Sequence, residues 1–263
     1  AALVFRSNGS PVIGRFSLDA VVKRPDGATF PVAGINQHCP DDAIVVMTPA
    51  FADSTRPQDN AASVTAGGTR HVKPGSKLRL TVREENPADR ALPIPNDAVV
   101  LIGRGKGRAF IESVHTGDRL DLRVALTSSV GSIAQALGGG PRLLRKGEVS
   151  IEAKEEGIGE SFVTARHPRT AFGYNAKKLF LVTVDGRQPG YSVGMSLPEL
   201  AGLMKKLGAT EAVNLDGGGS TTMWVNGSVR NRPSDGRLRP IGNAIVVYEK
   251  EVKLARKGCP ENL

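Results

Sequence analysis

The stretch Ala212-Val213-Asn214-Leu215-Asp216-Gly217-Gly218-Gly219-Ser220-Thr221-Thr222 constrains this chain more than any other. An apolar–polar alternation runs into an aspartate and then into three consecutive glycines. Such a run costs backbone entropy in any regular element, so it belongs where the chain bends sharply or passes close to something else. Asn214, Asp216 and Ser220 then sit around a bend whose centre carries no side chains. A phosphate loop of the Walker type would need Lys before the Ser/Thr and a helix after it. An esterase elbow would need Gly-x-Ser-x-Gly. Neither pattern is present, so Ser220 reads as a hydrogen-bonding or structural residue.

Around that stretch the pattern is mainly of strands. Phe16–Val22 and Thr29–Ile35 flank Pro25-Asp26-Gly27 and read as a hairpin. Ala43–Met47 reads as a buried strand, 53–66 as a long polar loop, and Lys77–Glu84, Ala98–Ile102 and Asp121–Thr127 as further strands. Lys106–His115 and Gly131–Leu137 read as short helices. Arg169–Tyr174 and Leu179–Val184 pair across the turn 175–178. Ser196-Leu197-Pro198-Glu199 is a capping box, and Leu200, Leu203, Met204 and Leu207 continue at helical spacing to Gly208. Asn226-Gly227 marks a hairpin between 222–225 and 228–230, and Asn243–Tyr248 reads as a last strand.

The expected class is α+β: mainly antiparallel mixed sheets with a few helices in a single compact catalytic domain. Its expected parts are a strand-rich stretch 1–130, a motif-bearing core 131–250 and a tail 251–263. The length of 263 residues is ample for a substantial core.

Charge narrows the partners. The net charge of +9 favours anionic ones, such as phosphate esters or acidic polysaccharide. Aromatics make up only 5% and the basic residues are dispersed, which speaks against nucleic acid. No apolar run reaches the roughly 18–20 residues of a membrane span. The start at Ala1 without Met reads as a processed or trimmed chain and leaves secretion open, and the expected location is extracytoplasmic or secreted. Cys39 and Cys259 stand as either a disulfide or two free thiols. The oligomeric state is left open.

Four polar clusters fall at turns: Arg166-His167-Pro168-Arg169-Thr170, Asp185-Gly186-Arg187, the segment around Asn214, Asp216 and Ser220, and Asn231-Arg232-Pro233-Ser234 followed by Arg239 and Asn243. Asp185 and Asp216 each end a β-like run before glycine, and paired carboxylates are the usual equipment of a glycosidase. Arg166, Arg169 and Arg239 offer fork-shaped donors for phosphate oxygens. Asn214 and Asn243 suit sugar hydroxyls, and His167 suits either acid–base work or orienting its loop. No cofactor is expected and no metal-binding spacing is present; calcium or magnesium on Asp185, Asp216 and Asn214 is the alternative.

These motifs, in this order, resemble the phosphodiester glycosidase family: Arg166–Gly173, Val184–Arg187, Asn214–Thr221 and Asn231–Ser234. The resemblance is specific over about 135–248 and looser upstream, where Gly34-Ile35-Asn36 fits a bacterial-type member. Ile35-Asn36-Gln37-His38 stands where relatives often carry an Asn-Gly-Gly-Phe-Phe type of segment, a departure that bears on the substrate pocket. The resemblance implies hydrolysis between a sugar's anomeric carbon and a phosphate, in an N-acetylglucosamine-like sugar phosphodiester of a surface glycan, exopolysaccharide or teichoic-acid-like cell-wall polymer. On it, Asp216, Asp185 and His167 are the expected catalytic residues. The expected substrate contacts are Arg166, Arg169, Thr170, Asn214, Gly217, Gly218, Ser220, Arg239, Asn243 and Asn36. Two alternatives stay open: a glycoside hydrolase on unphosphorylated oligosaccharide, and a non-catalytic module that binds cell-wall glycan.

Overall fold

Strand-forming runs separated by Gly, Pro and Asp turns leave little chain for helices, and sheets dominate the computed structural model, which describes residues 1–69, 71–127 and 130–248. The chain divides into two units, Ala1–Arg142 and Leu143–Leu263.

The first unit holds β1 (Ala2–Arg6), β2 (Pro11–Gly14), β3 (Leu18–Lys23), β4 (Thr29–Ile35), β5 (Ile44–Met47), β6 (Ala61–Gly67), β7 (Lys77–Pro87), β8 (Ala98–Arg104), α1 (Lys106–Glu112), β9 (Arg119–Leu126) and β10 (Ile133–Gly138). Seven strands close into a barrel in the order β3-β4-β5-β8-β6-β7-β9. The β4–β5 pair is parallel, whereas β3–β4, β3–β9, β5–β8, β6–β7, β6–β8 and β7–β9 are antiparallel. Every residue of β5 is buried, because both faces of this strand are covered. Ile44 and Val46 join the cluster of Val22, Leu80, Leu101 and Leu122, while Val45 and Met47 join Cys39, Leu92 and Ile94.

Two expectations fail in this unit. The stretch 53–66 is not loop throughout: β6 begins at Ala61 and is paired on both sides, by β7 and β8. Gly131–Leu137 is not helical either. Its residues form β10, which pairs with β1 from Ala2↔Gly138 to Arg6↔Ile133. Both segments are rich in Ala and small residues, whose weak local preference yields to ladders offered by distant strands.

The second unit holds β11 (Arg142–Arg145), β12 (Glu148–Val149), α2 (Glu160–Thr164), β13 (Arg169–Tyr174), β14 (Leu179–Val184), α3 (Leu197–Lys206), β15 (Glu211–Asn214), β16 (Trp224–Val225) and β17 (Ser228–Val229). Its main sheet runs β12-β11-β15-β13-β14. The capping box forms as its sequence predicts: the Glu199 backbone N–H donates to Ser196 Oγ, and the Ser196 N–H donates to Glu199 Oε2 at 2.9 Å. Leu197, Leu200, Ala201 and Met204 make the buried face of α3, packed with Leu143, Leu144, Ala171 and Ala212. Asn226 and Gly227 both take positive φ (50° and 82°) and turn β16 back on β17. The expected strand Asn243–Tyr248 does not form; it is irregular, with Val246 and Val247 more than 70% exposed. It has strand-forming residues but no ladder partner among the described residues.

Among the described residues, no helix is long and apolar enough to cross a membrane. Cys39 is buried, its Sγ 3.3 Å from the Ala43 carbonyl oxygen, and Cys259 lies outside the described residues.

Candidate active site

Strand direction assembles the site. β13 pairs antiparallel with β14 on one side and with β15 on the other. The C-terminal ends of β14 and β15 therefore lie together at the start of β13. Arg169 is opposite Val184, and the Leu215 N–H donates to the Thr170 carbonyl at 2.8 Å. Asp185 and Asp216 each follow by one residue. Their backbones flank the same strand at about two strand spacings, roughly 10 Å. The glycines after them confirm the closeness to one piece of chain. A Cβ on Gly186 would meet Pro168 N at 2.6 Å, and one on Gly217 would meet Pro168 O at 2.7 Å.

The glycine triad is now explained residue by residue. Gly217 lies against the Pro168 carbonyl. Gly218 has φ +61° and lies under the Arg187 guanidinium, where a Cβ would sit 3.1 Å from Nη1. Gly219 lies against the Asp235–Arg239 pair, 2.2 Å from Asp235 Oδ2 by the same measure. Gly218–Ser220 closes as a single 3-10 turn. Side chains on this bend would displace the charged groups that surround it.

The two aspartates differ sharply. Asp185 Oδ1 accepts from Asn231 Nδ2 at 2.9 Å and the Arg232 backbone N–H at 3.0 Å. Its Oδ2 accepts from Arg232 N–H at 2.9 Å and the Tyr191 hydroxyl at 3.0 Å. Asn231 also donates to the Thr221 carbonyl and accepts from the Met223 N–H. Asp185 thus ties the loop at 231–232 to the turn at 188–192 and, through Asn231, to the chain after the glycines. Asp216 is exposed, and its carboxylate has no hydrogen bond or ion pair among the described residues.

His167 lies 3.3 Å through Nδ1 from Arg187 Nη2. Guanidinium only donates, so Nδ1 presents its lone pair and the neutral ring carries its proton on Nε2. Burial, then the charges of Arg187 and Arg169, hold its pKa below the ordinary histidine value. The neutral ring is therefore the form favoured near neutrality, and it offers an N–H donor.

The arginines sort into distinct placements. Arg169 is 1% exposed: its Nε donates to Met195 O at 2.9 Å and Nη2 to Phe162 O and Ala165 O at 3.0 and 2.8 Å. This corrects the expectation of a fork open to phosphate, because two of its three nitrogens already hold carbonyls of the α2–α3 region. Arg166 forms an exposed ion pair with Glu199, the capping residue of α3. Arg239 pairs with Asp235 at 2.7 Å. Arg187 and Arg232 have no acidic partner among the described residues: Arg187 faces His167 and Gly218, and Arg232 lies 5.1 Å over the Tyr191 ring.

Thr170 Oγ1 donates to Thr221 Oγ1 at 3.3 Å, joining β13 to the chain after the glycines. Asn214 is buried on β15, opposite Ala171. Ser220 ends the 3-10 turn. Two further expected contacts have surroundings of their own. Asn36 belongs to the first unit, where its Nδ2 donates to Thr48 Oγ1 at 2.9 Å. Asn243 is exposed in the irregular stretch after 240 and bonds to none of the site residues above. Sequence reasoning missed Tyr191 and Gln188 altogether, and the cluster 231–234 gave only position without role. Gln188 Nε2 donates to the Arg232 carbonyl at 2.8 Å. Among the described residues, no group of three or more His, Cys, Asp or Glu side chains is placed to hold a metal ion.

Fold and rim define the class: an α+β protein with acids, arginines and one histidine gathered at a sheet edge round a glycine turn. The family model of the phosphodiester glycosidases matches residues 46–248, most of the chain, and the protein belongs to that family. It is 37% identical over 111 residues to the N-acetylglucosamine-1-phosphodiester alpha-N-acetylglucosaminidase of Bos taurus, a match covering 38% of this chain and 21% of that protein. The Homo sapiens protein of the same name is 36% identical over 111 residues, with the same coverage of 38% and 21%. The chain thus spans about a fifth of the length of these relatives. A solved Synechocystis protein of unassigned function superimposes with TM-score 0.73 and 26% identity, over 89% of this chain and 43% of that one. A candidate exported protein of Burkholderia pseudomallei K96243 does so with TM-score 0.66 and 25% identity, over 89% and 54%.

Proposed function

We propose that this protein hydrolyses the bond between a sugar's anomeric carbon and phosphate in a sugar-1-phosphodiester. Membership of the family supports the reaction class. The observation that carries the assignment of roles is the contrast at the rim: Asp216 is exposed and unpaired among the described residues, on the bend whose Gly218 lies against Arg187, whereas both oxygens of Asp185 are engaged.

The leaving group is already a phosphate, so departure needs charge neutralisation more than protonation. Arg187 and Arg232 supply it, and the His167 Nε2–H adds a neutral donor. As the C1–O bond breaks, its electron pair stays on the phosphate oxygen and positive charge develops at the anomeric carbon. Asp216 is the carboxylate that meets that charge, and water completes the reaction by adding its oxygen to C1 while its released proton passes to the departing phosphate oxygen. Asp185, with both oxygens engaged, positions the loop that carries Arg232. The substrate we favour is an N-acetylglucosamine-like sugar phosphodiester in a surface or cell-wall glycan, met outside the cytoplasm. The basic net charge and the likeness to a candidate exported protein support that setting.

Turnover of an α-linked sugar phosphodiester by Asp216→Asn tests the assignment. A loss of about a thousandfold or more in kcat is expected from removing a charge that acts in the transition state. Near wild-type turnover would remove Asp216 from the mechanism.

A further inference from the structure

Tyr191 is an aromatic side chain fixed on several sides and yet left open. It lies in the tight turn 188–192, where Gln188 and Ser192 exchange N–H to carbonyl bonds of 2.9 Å each way. The Tyr191 N–H donates to the Gln188 carbonyl at 3.0 Å, and Ser192 Oγ donates to the Asp185 carbonyl at 2.6 Å. The phenol donates to Asp185 Oδ2 at 3.0 Å, while the Arg232 guanidinium covers the ring at 5.1 Å. Arg232 is pinned in turn, its backbone N–H shared between both Asp185 oxygens. Despite these ties Tyr191 is 58% exposed.

Fixing a side chain costs rotamer entropy, and a ring that stays largely exposed recovers little of it by burial. A rigid, exposed aromatic beside a cation with no acidic partner is pre-organised for a contact from outside the chain. The chemistry of that contact follows from the pair. One face of a pyranose ring presents C–H groups, which pack on an aromatic face, while guanidinium matches a phosphate oxygen.

We infer that Tyr191 and Arg232 form a preformed shelf for the substrate. The sugar ring lies on Tyr191, and its 1-phosphate lies toward Arg232. This deepens the proposed function and rests on it. Tyr191 is a specificity-determining residue, and Asp185 is the positioning residue that aims the shelf. The arrangement also says what the site discriminates: a sugar phosphate from a bare phosphate.

Calorimetric titration of the full chain with α-N-acetylglucosamine 1-phosphate and, separately, with inorganic phosphate tests the shelf directly, alongside turnover of the phosphodiester. Tyr191→Ala is expected to weaken the sugar phosphate about five- to tenfold, the worth of one aromatic contact, and to leave inorganic phosphate within twofold. Tyr191→Phe keeps the ring and is expected to stay within about twofold of wild type for both. Equal weakening of both ligands by Tyr191→Ala overturns the shelf, as does unchanged sugar-phosphate binding. A Tyr191→Phe loss matching that of Tyr191→Ala overturns it too, since the hydroxyl bond to Asp185 and not the ring would then matter. A wild-type chain that discriminates the two ligands through Tyr191 yet turns over no phosphodiester sinks the proposed reaction and keeps the shelf. A chain that turns over the phosphodiester without discriminating sinks the shelf alone.

Discussion

The ends of β14 and β15 look alike in sequence and do different work. Each strand runs into an aspartate followed by glycine, and each flanks the start of β13. Asp185 is saturated: four hydrogen bonds reach its two oxygens and fix Tyr191, Asn231 and the Arg232 backbone. Asp216 is left open on a bend that glycines have cleared for Arg187, Asp235 and Arg239. Neighbours therefore decide which carboxylate is engaged and which stays open. A carboxylate whose lone pairs are filled is a poor nucleophile or base, whereas an exposed one with its lone pairs free is open to either role.

The comparison can be broken by exchanging the losses. Asp216→Asn gives the largest expected effect, the thousandfold fall in kcat already stated, with thermal stability close to wild type because no bond among the described residues is lost. Asp185→Asn should do the reverse. It keeps the shape but replaces an acceptor oxygen with a donor nitrogen facing N–H and O–H groups. A stability loss of about 1–3 kcal/mol, read as a lower Tm, is expected. A Tm loss for Asp216→Asn larger than for Asp185→Asn would invert the two roles.

Arg187→Ala sharpens the comparison from the cationic side. It removes the proposed phosphate ligand and one of the charges that depress His167. KM for the phosphodiester should rise about tenfold. The acid limb of the pH–rate profile should also move to higher pH, because His167 regains proton affinity and its neutral form is the one in use. An unmoved acid limb would take His167 out of the reaction.

The smallest effect concerns stability against pH. Folding lowers the His167 pKa, with burial the leading cause. The contribution is therefore present above the unfolded value near 6.5 and is lost as pH falls through the folded value. His167→Gln should flatten that part of the stability profile by a few tenths of a kcal/mol, since the ring is only partly buried. Urea unfolding at pH 5 and pH 7.5 on both chains reads the difference.

Local chemistry was legible wherever a short segment carries its own signal. The capping box of α3, the Asn226-Gly227 turn and the β13–β14 hairpin need only neighbours in sequence. Segments whose state depends on distant partners were not legible. β6 and β10 have small, weakly biased residues and became strands because β7, β8 and β1 offered ladders. The stretch Asn243–Tyr248 shows the converse: good strand residues do not make a strand without such a partner. Arg169 misled for a related reason. Its motif marked a functional stretch, but burial assigned its guanidinium to backbone carbonyls. Tyr191 gave no signal because a lone tyrosine in a turn means nothing until Asp185 and Arg232 are beside it.

By itself the sequence determined the family, the strand-rich class, the glycine bend and the identity of the acids and bases near it, because propensity, turn chemistry and motif order are written in consecutive residues. Only the tertiary structure decided that seven strands close into a barrel, that Asp185 is filled while Asp216 is open, and that Arg187 and Arg232, unlike the buried Arg169, keep guanidinium groups with no acidic or carbonyl partner among the described residues. Hydrogen bonding and burial between residues far apart in sequence make those choices, and no local pattern records them.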